Sequence, residues 1–164
     1  MNYDLIRVTT DAEWRDYHLL RRMVLWDARG REGYDYNHPD DTRASNHALL
    51  LTLDREAIGT IRIDDRGDHS CVIRLVCIAP ALQRHGHGRA MLRMADEYAL
   101  QRGWPTLKVN AAVEATDFYA KLGWTLCTWD QAELDACPVP CVQMIKDLHT
   151  SIEPRTPAID GAKA

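Results

Sequence analysis

The stretch CVIRLVCI at residues 71–78 is almost continuously apolar and rich in β-branched residues. A strand with one face in a core and one in water alternates apolar and polar residues. An unbroken apolar run needs cover on both faces. Ala79-Pro80 follows at once, and proline has no N–H for a ladder, so pairing ends there. The chain must therefore build a sheet with layers on both sides and this strand near its middle. At 164 residues it is long enough to bury such a core.

The flanking sequence supplies the layers. Residues 3–8 alternate weakly and read as a first strand. Thr10 and Glu13 have capping-box spacing, and Trp14, Tyr17, Leu20, Val24 and Ala28 then recur at helical intervals. Residues 29–46 are polar, with Gly30, Gly33 and Pro39, and read as a long loop that is a candidate lid or substrate loop. Residues 48–53 and 57–63 form a hairpin across Asp54-Arg55. A helix over 88–102 ends at Gly103, a strand covers 106–110, and a helix over 113–122 ends at Gly123. Residues 124–129 and 142–146 make a last strand pair. The prediction is an α+β fold of mixed α/β layers, with one domain over 1–148 and a flexible tail over 149–164.

Net charge and cysteine usage exclude some functions. A formal charge of −4 and a pI near 5.9 argue against nucleic acid as a partner. Five cysteines without a C-x-x-C pair, and an N-terminus without an apolar h-region, imply a reducing, cytoplasmic setting. No apolar run approaches the ~20 residues that span a bilayer, so no membrane partner is expected.

Residues 83–92, QRHGHGRAML, carry the first chemical signal. His85 and His87 suggest a metal site, yet no third ligand lies nearby and the next acidic residue is Asp96; no metal is expected. Glycines between a buried strand and a helix allow positive φ. Backbone N–H groups can then converge with the positive end of the helix dipole to hold pyrophosphate. Arg84 and Arg89 add charge. A plain glycine-containing loop has the same spacing, so the loop alone leaves both readings open.

Residues 106–124, TLKVNAAVEATDFYAKLGW, add a second signal. With Gln83, Arg84, His85, Gly86, His87 and Gly88 fitting Q/R-x-x-G-x-G/A, and Ala115, Phe118, Tyr119, Lys121, Gly123 and Trp124 fitting A-x-x-F-Y-x-K-x-G-F/W, the chain resembles the GNAT superfamily of acetyl-CoA-dependent N-acetyltransferases over roughly residues 49–146. Ala112 and Ala120 stand where many members of one branch have Gln and Glu.

The resemblance implies a GNAT-like central, mostly antiparallel sheet with helices on both faces and a parallel pair, 71–78 and 106–110, that splays apart. It implies acetyl-CoA as cosubstrate. The pyrophosphate would lie on residues 84–89, with Gln83 beside them, and the pantetheine arm along the backbones of Val76, Cys77 and Ile78. The Ile78 N–H would polarise the thioester carbonyl. Asn110 and Phe118 join the cofactor-binding set, Phe118 also as a core-packing residue. Tyr119 is implied as the acid that protonates the departing CoA thiolate, since a phenol near pKa 10 can protonate a thiolate near 8.5 once positioned.

The general base is left unassigned among His47, Asp41, Glu32 and Glu56, because Val72 occupies the strand position where some relatives carry Glu. The predicted reaction is acetyl transfer to a primary amine by direct attack in a ternary complex, with a small-molecule acceptor preferred. The acidic stretch 31–41 would favour a cationic amine if it lines the acceptor site. Transfer to a protein lysine or N-terminus, and a non-catalytic acyl-CoA-binding or sensing domain, stay open, as does a homodimer.

Overall fold

A computed structural model describes residues 1–149; most of the predicted 149–164 tail lies outside the described residues. Seven strands form one sheet: β1 Tyr3–Arg7, β2 Asn46–Leu53, β3 Glu56–Asp65, β4 Ser70–Ile78, β5 Thr106–Ala112, β6 Thr125–Leu126 and β7 Cys141–Asp147. Their spatial order is β1-β2-β3-β4-β5-β7-β6. Every neighbouring pair is antiparallel except β4–β5. Four α-helices accompany it: α1 Asp11–Arg21, α2 His87–Gln101, α3 Thr116–Ala120 and α4 Gln131–Asp135.

The layers follow from side-chain parity. On β2, Ala48 and Leu50 enter a cluster with Tyr17, Leu20 and Leu25, on the α1 side. Leu49 and Leu51 enter the opposite cluster with Met91, Leu92, Ala95 and Ala99 of α2. The predicted capping box of α1 is present: Thr10 Oγ1 accepts from Glu13 N at 3.2 Å, and Glu13 Oε2 accepts from Thr10 N at 2.9 Å. The predicted extension to Ala28 is not plain α-helix. A π-helical turn over Arg22–Trp26 and a 3₁₀ turn over Asp27–Arg29 follow instead. Such irregular turns recur at functional sites.

Two further expectations are corrected. Of the strand predicted over 124–129, only Thr125–Leu126 is strand, with one more backbone bond to β7 from Cys127 N to Gln143 O at 3.0 Å. The side chain of buried Gln143 stops it, because Gln143 Oε1 accepts from the N–H groups of Trp129 and Asp130 at 2.8 and 2.9 Å. The helix predicted over 113–122 is a 3₁₀ turn over Val113–Ala115 followed by the short α3. The loop between the last strands also holds α4, N-capped by Asp130, which accepts from Glu133 N at 3.0 Å.

The central strand is not uniform. On its β5 side, pairing runs from Ser70↔Thr106 to Ile73↔Val109 and stops. On its β3 side, register shifts between Thr60 and Arg62, with one extra residue on β4, and Leu75 takes φ +54°. This is a β-bulge, and it flips the strand's parity. Cys71 and Ile73 face the α2 layer before it, and Ile78 faces the same layer after it. The two parallel strands therefore part at the bulge. Gly59 allows β3 to stay close beyond it, since a Cβ there would lie 2.7 Å from the Cys77 carbonyl oxygen.

Candidate active site

The parted strands open a cleft of about 590 Å³. Leu75 and Val76 line one side, Asn110, Ala111 and Ala112 the other, and Tyr119 and Ala115 lie beyond β5. The π-turn brings Leu25 and Trp26 to its rim, and the 3₁₀ turn after it brings Arg29.

The strand edge facing the opening follows from hydrogen-bond alternation. Ala79 N donates to Ile58 O at 2.8 Å, so in the same register Cys77 is the next residue bonded to β3, opposite Thr60. The amides of Val76 and Ile78 then point away from β3, toward the side where β5 has departed. Cys77 does not share this geometry. Its backbone is committed to β3, and its thiol is buried beside Thr60 Oγ1 at 3.1 Å, where burial pushes its pKa up. Gln83 Nε2 donates to Ile78 O at 3.0 Å and so ties the following loop to the strand end.

That loop has the backbone its glycines suggest. Arg84 takes φ +64° and Gly86 φ +86° just before α2, with Gly86 as N-cap. Space around an added Gly86 Cβ is open to 4 Å, so backbone conformation alone favours glycine there. The histidine side chains are engaged elsewhere. Buried His87 Nδ1 meets Tyr3 Oη at 2.7 Å, and His85 Nδ1 meets the carbonyl of Gln83 at 2.7 Å. Among the described residues no group of three or more His, Cys, Asp or Glu could hold a metal ion. Phe118 is not a core residue: it is 38% exposed and lies over Gly88, where an added Cβ would stand 3.4 Å from the ring.

Tyr119 is buried, edge-on to Phe118 and Trp124 at ring distances of 5.4 and 5.5 Å. Burial pushes its phenol pKa well above the usual value, so it stays protonated at neutral pH. Its hydroxyl has no hydrogen-bond partner among the described residues, and the side chain lines the cleft.

Three of the four base candidates lie elsewhere. Asp41 is buried between Arg21 at 2.7 Å and Arg62 at 3.4 Å. His47 sits on the α2 side, its Nδ1 2.7 Å from Tyr98 Oη and its ring edge-on to Trp104. Glu56 starts β3 at the hairpin turn. Glu32 alone of the four lines the cleft.

The long loop does line the cleft, through Arg29, Arg31, Glu32, Gly33, Asp35, His38 and Asp40. It is held against α1 rather than free: His18 Nδ1 meets Tyr34 Oη at 2.7 Å, and Tyr34 packs on Trp26 and Tyr36. The polar floor was missed by sequence reasoning. Asp64 bonds Arg62 at 2.8 Å and Arg74 at 2.8 Å, and Arg74 pairs with Glu133 of α4. Asn110 joins the same network, giving its Nδ2 to Glu133 at 3.4 Å and accepting Gln143 Nε2 at 3.0 Å. Only the order Arg62-x-Asp64 on one strand face hinted at it.

Comparison with known proteins places this geometry. A model described as acetyltransferase (GNAT) domain matches residues 37–148. The uncharacterized protein YyaT of Bacillus subtilis is 24% identical over 147 residues, 89% of this chain and 97% of that protein. Among solved structures, an acyl-CoA N-acyltransferase from Pseudomonas aeruginosa superposes with a TM-score of 0.73 at 18% identity, over 88% of this chain and 98% of that one. An aminoglycoside 6′-N-acetyltransferase complexed with coenzyme A gives 0.73 at 12% identity, over 90% and 97%. The bulged central strand, the splayed parallel pair and the glycine loop at a helix start thus belong to a known architecture, and the chain is a member of the GNAT acetyltransferase family.

Proposed function

We propose that the chain transfers an acetyl group from acetyl-CoA to the primary amine of a small acceptor by direct attack. The observation that carries this is the partnerless, protonated Tyr119 hydroxyl lining the cleft opened by the β4 bulge. Pyrophosphate rests on the backbone N–H groups of residues 84–89, and Arg84 and Arg89 add charge. The pantetheine arm runs beside Val76 and Ile78, whose amides point away from β3. The amine lone pair attacks the thioester carbonyl, whose oxygen gains charge beside the Ile78 N–H. Collapse breaks the C–S bond, and Tyr119 gives its proton to the thiolate. Glu32 is the residue to test as acceptor of the amine proton.

The cleft argues for an acceptor with an anionic group beside its amine. Arg21, Arg62 and Arg74 on the floor are neutralised by Asp41, Asp64 and Glu133. Arg29 and Arg31 line the same cleft without a carboxylate partner among the described residues. Glu32 and Asp35 remain for the ammonium.

The test is release of free CoA thiol against a panel of amines. Tyr119→Phe should lower kcat by about 10²–10⁴-fold, the range of a positioned general acid, with acetyl-CoA binding little changed. Unchanged turnover across pH removes Tyr119 from that role. Gly86→Val, forced into positive φ, should weaken acetyl-CoA binding at least tenfold; wild-type affinity counts against the phosphate loop. Transfer to peptides alone would make the acceptor a protein, and CoA binding without thiol release would make the chain a sensor.

A further inference from the structure

The cleft changes character along its strands. Asn110 on β5 and Gln143, opposite it on β7, belong to the polar network that Glu133 joins to Arg74. Strand parity makes Ala112 and Cys141 the next register pair on that face. Val113 N donates to Pro140 O at 3.3 Å and seats the preceding residues against this apolar end, where Pro138 and Val139 line the cleft. Leu25 and Trp26 line it from the π-turn.

The same turn seats a cation. The Arg31 guanidinium lies over the Trp26 ring at 4.2 Å, and its Nη1 donates to Leu25 O at 3.5 Å. Both contacts orient the group without neutralising it. Arg62 and Arg74 are each paired with Asp64, whereas Arg31 has no carboxylate partner among the described residues. Its planar N–H fork is therefore open to a carboxylate. Glu32, the next residue, lines the cleft with the opposite charge. An anion site, a partner for an ammonium and an apolar patch thus share one cleft, and Trp26 belongs to both the first and the last.

We propose that the acceptor is an α-amino acid with an apolar side chain. Its carboxylate pairs with Arg31, its ammonium meets Glu32, and its side chain lies against Trp26, Leu25 and Val139. This rests on the acetyl-transfer reading above and narrows its acceptor. The products are an N-acetyl amino acid and free CoA. The acetyl carbon exchanges its bond to sulfur for one to the α-nitrogen. The ammonium sheds two protons in all: the sulfur gains one by way of Tyr119, and solvent takes the other.

The test measures thiol release by the full-length chain at saturating acetyl-CoA, with the common L-amino acids and matched amines lacking the carboxylate. L-Leucine or L-phenylalanine should exceed isopentylamine or phenethylamine in kcat/KM by about 10–100-fold, the worth of hydrogen bonds to a charged group. Either should exceed L-alanine by about tenfold or more, since each methylene in an apolar pocket counts. Arg31→Met should raise the KM for L-leucine by about 10–100-fold with a smaller change in kcat, and so erase the preference over isopentylamine. Val139→Asp should lower kcat/KM for L-leucine about tenfold or more and narrow its lead over L-alanine. Equal use of L-leucine and isopentylamine, a preference for L-lysine, L-aspartate or a polyamine, or an unchanged KM in Arg31→Met would each overturn this acceptor and leave acetyl transfer standing. Thiol release with no amine at all, although acetyl-CoA binds, would overturn the transfer reading and this proposal with it.

Discussion

On β3, Ile61 and Ile63 enter the apolar layer beneath α2, while Arg62 and Asp64 from the same strand are bonded on the α1 side. Both faces are buried, but by opposite means. The α2 face gains from removing aliphatic surface from water. The α1 face buries charges, which is tolerable because each guanidinium meets carboxylates. From Asp41 through Arg62, Asp64 and Arg74 to Glu133, cation and anion alternate beneath the cleft, where Arg62 and Arg74 line its floor and the carboxylates hold them from behind. The apolar face holds the sheet together. The charged face sets the shape and potential of the site, and its stability depends on every partner being present.

Removing one partner should give the largest effect. Asp64→Ala leaves buried Arg62 with Asp41 at 3.4 Å and Asp40 at 3.9 Å, and it frees one side of Arg74. Breaking a buried pair from one side costs about 3–5 kcal/mol, read from urea unfolding midpoints. Replacing both partners, Arg62→Met with Asp64→Leu, should recover most of that loss. If the double variant is no more stable than the single one, the contrast between the faces fails, because the charges would then be needed for folding itself.

Ile61→Ala probes the other face and should cost about 3 kcal/mol, the lost transfer energy plus a cavity among fully buried neighbours. Its signature differs from that of Asp64→Ala. Stability falls while the arrangement of the cleft floor is kept, so at temperatures where the variant is folded acceptor KM should stay near wild type. A large KM change at Ile61 would mean that the faces are mechanically coupled.

This contrast also explains what the sequence revealed. Apolar runs reported the α2 face and the strands well, since aliphatic burial is what periodicity registers. The CVIRLVCI run indicated a doubly covered strand. It could not reveal the bulge at Leu75, because apolar residues on both sides of a parity change look alike. The glycine loop and Tyr119 were marked by their spacing in two motifs. The charged floor was hidden because its partners come from separate elements, with Asp41 in a turn, Arg21 on α1, Asp64 on β3 and Glu133 on α4. Alone, each reads as an ordinary surface residue. The α4 helix escaped notice for a related reason, being five residues fixed by a single Asp130 cap.

The smallest effect concerns pH, and each face supplies a histidine. Burial lowers the pKa of His47 on the α2 side to about 4, and it lowers that of His18 beside the loop. An unfolded histidine titrates near ~6.5. Between those values the unfolded chain binds a proton at His47 that the folded chain refuses. Stability from this residue is therefore full above pH ~6.5 and is lost as pH falls toward 4. His47→Phe should flatten that part of the acid limb, seen as a smaller drop in unfolding midpoint between pH 7 and pH 5. His18 differs because its ring also meets Tyr34 of the cleft loop. Acid should therefore loosen that loop as well as destabilise the fold, and the acceptor KM should rise below pH 6 in wild type and in His47→Phe alike. If removing His47 abolishes the KM change, acid reaches the cleft from the apolar face, and the division of labour between the two faces is wrong.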